Sequence, residues 1–355
     1  MVNSRQCSSI LIRADASTSI GMGHVMRCLA IAQACQDKGS SVSFVMGSNA
    51  SRFDNRLISE GFDVFLLPSI ELGTLEDAIE TIRLAKQQQA KWIIVDGYHF
   101  TDHYQRALKQ AGYPLLVIDD CGYLEQYEAD IILNQNISAQ ATLYPHCSSS
   151  TKLLLGLPYT LLRQEFWAYQ KWQRDYPATA KKILITLGGS DPDNVTLEII
   201  KQIQQLAVFP MLDVLVVVGG SNPHTELLQK AILGTNIRLV RNVSNMPELM
   251  AWADMAITAG GSTCWEAAFM QLPSLVIVLA DNQLNSAQTL AQTGLVELEN
   301  WYLDGFSSNF CTTLKQLISG QEARMTMGER GRQLVDGKGV YRVIEKMEEG
   351  EYEDD

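Results

Sequence analysis

Short apolar runs rich in β-branched residues alternate along the chain with stretches whose apolar positions recur every three to four residues. That alternation predicts βα units on parallel sheets. It occurs twice. In the first half it predicts strands over 9–13, 42–46, 64–67, 92–95 and 115–118, and helices over 24–37, 75–88 and 102–111. In the second half it predicts strands over 183–187, 214–218, 237–240, 255–258 and 275–278, with helices over 194–206, 223–233, 246–252, 263–270 and 285–293. Between the halves, around Trp167, Trp172 and Pro177, the periodicity lapses and ends at Lys181-Lys182. The expected fold class is α/β: two Rossmann-like domains, 1–165 and 181–320, whose parallel sheets face a cleft. A linker over 166–180 joins them, and a C-terminal helix with an acidic tail follows over 321–355. In open α/β sheets ligands bind outside the carboxyl ends of the strands, so the chemistry is sought in the loops that leave those ends.

Composition narrows the function. The 355 residues are 46% hydrophobic, enough for two cored domains. With 28 Lys+Arg against 40 Asp+Glu, the net charge of −12 speaks against a protein that holds nucleic acid or an anionic membrane by a basic field. Roughly half of that charge lies in the terminal run from Glu345 to Asp355, read as a solvated end. The seven cysteines are scattered and contain no C-x-x-C pair, which fits a reducing cytoplasm and neither a disulfide framework nor a structural zinc site. The apolar run Ile10-Leu11-Ile12 is too short for a signal segment or a membrane span.

Four loops carry candidate chemistry. The first runs from Arg13 and Asp15 through Gly21, Gly23 and His24 into a helix bearing Arg27. Its glycines allow close backbone approach, and a helix start suits an anion. It lacks the third glycine and the distal acid of a dinucleotide fingerprint, and the Gly-Lys-Ser/Thr of a P-loop, so no dinucleotide cofactor is expected. An imidazole at such a helix start can act as a general base, although a histidine at this junction can equally be a packing or capping residue. The second loop contains Gly188, Gly189, Ser190, Asp191 and Asp193, and the third contains Gly260, Gly261, Ser262, Thr263 and, one turn on, Glu266. Backbone N–H groups and hydroxyls there can hold a diphosphate, while Glu266 can accept from ribose hydroxyls; ordinary capped βα turns are the alternative. The fourth loop offers the amides Asn282 and Gln283 beside Asp281. His99 and His103 share i,i+4 spacing without the context of a zinc motif, and no metal is expected.

Taken in order, Gly21-Met-Gly23-His24-Val-Met-Arg27, Val95-Asp96-Gly-Tyr98, Gly156-Leu-Pro-Tyr159, Leu187-Gly-Gly-Ser190-Asp191-Pro192, Ala259-Gly-Gly-Ser262-Thr-Cys-Trp265-Glu266 and Ala280-Asp281-Asn282-Gln283 resemble the nucleotide-sugar hydrolases of pseudaminic acid biosynthesis. The likeness runs from about residue 10 to about residue 300 and leaves the last fifty or so residues without a motif. It implies a glycosyltransferase-B fold with the nucleotide on the C-terminal half. It also implies metal-independent, inverting displacement of UDP from a 2,4-diacetamido sugar by water, without a cofactor. His24 is then the general base, with Asp15 and Tyr98 on the sugar side. Gly21, Gly23, Arg27, Gly188, Gly189, Ser190, Gly260, Gly261, Ser262, Thr263, Glu266, Asn282 and Gln283 are expected to bind the substrate. A glycosyltransferase using a UDP-sugar donor, or a hydrolase of a related sugar, shares these loops and stays open. A monomeric, cytoplasmic enzyme whose partner is its UDP-sugar is the expectation that follows.

Overall fold

The computed structural model describes residues 9–17, 22–48, 54–241, 243–303 and 305–351, and of residues 281, 282, 350 and 351 only the backbone. The chain divides into two compact units, Met1–Gln164 with Lys338–Asp355, and Glu165–Gly337.

The first unit is built on a seven-stranded parallel sheet of β1 (Ser9–Ala14), β2 (Ser41–Met46), β3 (Asp63–Leu66), β4 (Trp92–Asp96), β5 (Leu115–Ile118), β6 (Ile131–Asn134) and β7 (Lys152–Leu155), in the order β3-β2-β1-β4-β5-β6-β7. The second unit carries a six-stranded parallel sheet of β8 (Lys182–Thr186), β9 (Asp213–Val218), β10 (Ile237–Arg241), β11 (Met255–Ala259), β12 (Ser274–Val278) and β13 (Glu297–Asn300), in the order β10-β9-β8-β11-β12-β13. The helices are α1 (Gly23–Asp37), α2 (Asn55–Ser59), α3 (Leu75–Gln87), α4 (Asp102–Gln110), α5 (Val195–Gln204), α6 (Thr225–Ala231), α7 (Met246–Trp252), α8 (Thr263–Phe269), α9 (Asp281–Gln292), α10 (Phe306–Ser319), α11 (Gln321–Leu334) and α12 (Gly339–Glu351).

Central strands such as WIIVD, SLVIV and MAITA are buried along their whole length, because helices cover both faces of a parallel sheet. Ile183, Ile185, Val214, Val216, Ile257 and Ile277 form the core of the second unit together with Phe310 and Leu314 of α10. Leu11, Val45, Ile93, Val95, Leu115 and Val117 do the same in the first. In each sheet the strand order reverses next to the first strand, between β1 and β4 and between β8 and β11. The loops leaving those strands are therefore neighbours by topology, which is the condition for a switch-point site.

Three strands lie outside the expected set. β13 reads ELEN at a sheet edge, and β6 and β7 are only four residues long after an irregular tyrosine-rich segment. The stretch 166–180, expected as a linker, belongs to the second unit. Arg174 is buried there and donates to the carbonyls of Met250, Ala253 and Met270, so this segment is pinned as core. The expected C-terminal helix is split in two. It breaks at Val335–Lys338, leaving α11 in the second unit, while α12 returns to the first. There α12 packs on α1, and Lys38 pairs with Glu348 at 3.0 Å. The helix starts so tightly that a side chain at Gly339 would meet the Thr160 backbone at 2.3 Å.

Candidate active site

At the switch point of the first unit, His24 stands in the first turn of α1 and Asp96 is the last residue of β4. His24 Nδ1 lies 2.6 Å from Asp96 Oδ1. The Arg27 guanidinium, one turn further along α1, donates to both oxygens of Asp96, from Nε at 2.5 Å and from Nη2 at 2.6 Å. Arg27 Nη2 is also 3.2 Å from His24 Nδ1. A guanidinium nitrogen only donates, so it cannot fix the tautomer in which Nδ1 is an acceptor against the shorter carboxylate contact. Nδ1–H therefore donates to Asp96, and Nε2 carries the lone pair. This is the arrangement of an oriented general base.

Asp96 is fully buried. Burial opposes its charge, but Arg27 and His24 outweigh it and lower the carboxyl to about 2. The second carboxylate on Arg27 is Asp120, just past β5, which accepts from Nη1 at 2.6 Å. Burial again works against the charge, and Arg27 again prevails, so Asp120 is also held below its ordinary value. Asp120 Oδ2 accepts from the Tyr98 hydroxyl at 2.9 Å, and the Tyr98 ring meets the His24 ring edge-on at 5.3 Å. Tyr98 is 44% exposed, so one side of it is open to a ligand.

Beside this cluster lies a second histidine–carboxylate pair. His99 Nε2 is 2.9 Å from Asp15 Oδ2, and Asp15 also accepts from the Gly47 N–H at 2.6 Å and pairs with Arg13 at 2.7 Å. Arg13 in turn donates twice to Asp77 of α3. Burial penalises the charge on Asp15, but His99 and Arg13 overcome it and hold the carboxyl well below its usual range. The pairs are crossed. The loop after β1 sends His24 to the end of β4, and the loop after β4 sends His99 to the residue just past β1. This cross-strapping ties the start of α1 to the end of β4 and the loop after β4 to the end of β1. A side chain on Gly97 would press into His99 at 2.8 Å, so a residue without one is required between Asp96 and Tyr98.

These contacts correct two expectations. Arg27, expected to bind substrate, is 8% exposed and is committed to Asp96 and Asp120. Asp15, expected beside the reacting sugar, is 2% exposed with its oxygens engaged; it positions a loop. Gly21 lies outside the described residues, and Gly23 is exposed at the start of α1. His103 faces away on α4, 3.4 Å from Arg106, and shares no ligand with His99. Asp96 and Asp120 went unselected in the sequence. The signal was present: each ends or follows an apolar central strand, WIIVD and LLVI, where a carboxylate has no packing reason to stand.

In the second unit the site is made of backbone. Gly188 adopts φ +89°, and a side chain at Gly219 would meet Gly189 O at 2.2 Å, so the loops after β8 and β9 lie directly against each other. Asp191 closes the start of α5 by accepting from Val195 N at 2.8 Å and Thr196 N at 3.1 Å. After β11, Gly261 and Ser262 are exposed, Gly260, Thr263 and Glu266 are half-buried, and Cys264 and Trp265 anchor α8 in the core. Gly260 lies against Gln283, whose Oε1 accepts from Leu279 N at 3.2 Å, so Gln283 ties the loop after β12 to the loop after β11. The Asn282 side chain lies outside the described residues.

Residues 183–326 match the glycosyltransferase family 28 C-terminal domain. The chain is 29% identical over 290 residues to the UDP-2,4-diacetamido-2,4,6-trideoxy-β-L-altropyranose hydrolase of Campylobacter jejuni, spanning 80% of this chain and 97% of that protein. It is 25% identical over 342 residues to the spore coat polysaccharide biosynthesis protein SpsG of Bacillus subtilis, spanning 94% and 95%. Among solved structures it superposes on Acinetobacter baumannii MurG with a TM-score of 0.65 at 17% identity, covering 96% of this chain and 99% of that one. The UDP-GlcNAc 2-epimerase of Neisseria meningitidis gives 0.61 at 14%, covering 96% and 100%. By sequence, then, the chain is similar to a UDP-diacetamido-trideoxy-altropyranose hydrolase, and its fold is the MurG-like glycosyltransferase-B fold.

Proposed function

We propose that the chain is a nucleotide-sugar hydrolase that releases UDP from UDP-2,4-diacetamido-2,4,6-trideoxy-β-L-altropyranose, a step of pseudaminic acid and surface-glycan biosynthesis. The observation that carries this reading is the His24–Asp96 pair at 2.6 Å, within a sequence likeness that spans nearly all of the Campylobacter hydrolase. Nε2 of His24 takes a proton from water as the water oxygen bonds to the anomeric carbon. The carbon–oxygen bond to UDP breaks from the opposite face, its electron pair leaves with the diphosphate, and the sugar emerges inverted. Asp96 balances the imidazolium that forms.

The leaving diphosphate needs no acid to protonate it, unlike the alkoxide of a glycosidase, which is why one base suffices. Its charge is met by N–H groups at Gly189, Ser190, Gly261 and Ser262, with Glu266 toward the ribose and Asn282 and Gln283 as neutral donors. The reading includes no cofactor or metal, and a monomer acting in the cytoplasm. Among the described residues no helix is long and apolar enough to cross a membrane. The test is to incubate the purified protein and the UDP-sugar with EDTA and follow UDP and sugar by NMR. Release of both, with the inverted anomer formed first, supports the reading. An intact UDP-sugar beside tight UDP binding favours the second reading, a glycosyltransferase awaiting its acceptor, to which the family 28 domain and the MurG-like fold lend support.

A further inference from the structure

Asp120 stands outside the His24–Asp96 pair, yet it closes a circuit around it. Arg27 bridges Asp96 and Asp120 through Nε and Nη1, and Tyr98 joins Asp120 back to the His24 ring. Two carboxylates therefore share one guanidinium. With His24 neutral, this group of side chains carries one net negative charge; with His24 protonated it carries none.

We infer that Asp120 is a positioning residue of the proposed hydrolysis: by dividing Arg27's charge with Asp96 it leaves Asp96 free to balance the His24 imidazolium, and by accepting from Tyr98 it sets that ring against His24. The groups facing the pair are Arg27 and Cys28 from α1, Asp96 from β4, Tyr98 from the loop after β4, and Asp120 from the end of β5. Cys28 Sγ lies 3.6 Å from Asp96, and its thiol is pushed well above its ordinary value by burial first and Asp96 second, so it brings no charge. Tyr123, edge-on to Tyr98 at 5.4 Å, donates to the carbonyls of Gly97 and Phe100; burial raises its hydroxyl, and it stays neutral as well. Asp119 is committed to the N–H groups of Asp120 and Gly122 and to the Tyr127 hydroxyl, away from Arg27. Asn136 donates to Asp120 from the far side and holds it in place without charge. Asp120 is thus the one carboxylate besides Asp96 that touches Arg27 among the described residues.

This inference rests on the proposed hydrolysis for its consequence, and its test is chosen to stand apart from it. The His24 imidazole is followed by NMR through a pH titration in the wild type, Asp120→Asn and Asp120→Glu, and UDP release is followed over the same range. Loss of the charge in Asp120→Asn is expected to lower the His24 midpoint by about one pH unit. It is also expected to move the rising limb of kcat/KM downward by a similar amount and to lower the plateau of kcat about tenfold with little change in KM. Asp120→Glu keeps the charge and is expected to hold the midpoint within about 0.3 unit. If Asp120→Asn does not fold, Asp120→Ser serves, since it too removes the charge and keeps an acceptor. A His24 midpoint unchanged in the charge-removing variant, or one lowered equally by Asp120→Glu, overturns the inference. If the wild type fails to hydrolyse the UDP-sugar while the midpoint still falls, the proposed function is wrong and the electrostatic role of Asp120 stands.

Discussion

The two units use one topology for two kinds of surface. Both sheets reverse their strand order beside their first strand, which makes neighbours of the loops leaving β1 and β4 in one and β8 and β11 in the other. In the first unit those loops are filled with side chains that hold one another: His24 with Asp96, His99 with Asp15, Arg27 between two carboxylates. In the second they are stripped to glycine and serine, and the backbone itself is the surface, with Asp191 capping α5 from below. The contrast teaches that strand order decides which loops meet, while the residues at the strand ends decide whether the meeting place is lined by paired charged side chains or by bare backbone.

The comparison breaks most visibly at Asp96. Asp96→Asn is expected to lower kcat about a thousandfold, because the amide no longer balances the imidazolium or fixes the tautomer, while UDP affinity stays within about threefold. Single-turnover rates and calorimetric UDP titration measure the two halves of that statement. The converse change is Gly219→Ala. Its new methyl group displaces Gly189 and is expected to weaken UDP binding about tenfold or more while leaving the pH profile of catalysis unmoved. A smaller effect is expected from Asp191→Ala, which removes two N–H acceptors from the start of α5 and should lower stability by about 1–2 kcal/mol, read from denaturant unfolding of the second unit.

The smallest effect concerns acid. Asp96 is held near 2, below its ordinary 3.8, so its contribution to stability is present above about pH 4 and is lost as the pH falls toward 2. Asp191 is shifted the other way, raised chiefly by burial, so its contribution is greater at low pH and is lost as pH rises through its folded value. Scanning calorimetry from pH 5 down to about 2.5 should therefore show the first unit losing stability faster than the second. Equal loss in both would contradict the assignment of charge to the Asp96 cluster.

Much of this was legible in the chain because buried parallel strands and amphipathic helices announce themselves by their period: strand 115–118 and helix 246–252 fall where the periodicity sets them. β13 was not legible, since an edge strand reading ELEN buries too little to need apolar residues. The linker reading of 166–180 failed because core formation there depends on Arg174 reaching three distant carbonyls, a contact with no local signature. At the site, His24 was recognisable from its glycine-flanked helix start. The roles of Arg27 and Asp15 were not, because whether a polar side chain faces a ligand or a neighbouring carboxylate depends on which strand lies alongside. Asp96 shows the same limit from the other side: β1 and β4 are adjacent only after the sheet has formed.

The central claim is that His24, oriented by Asp96, moves the proton while the second unit holds the nucleotide. Single-turnover UDP release by His24→Ala, set beside its UDP dissociation constant, tests it most directly. A rate at least about a hundredfold below wild type with UDP affinity within about threefold is the predicted result. Retention of the wild-type rate, or a loss explained wholly by weaker UDP binding, would contradict it.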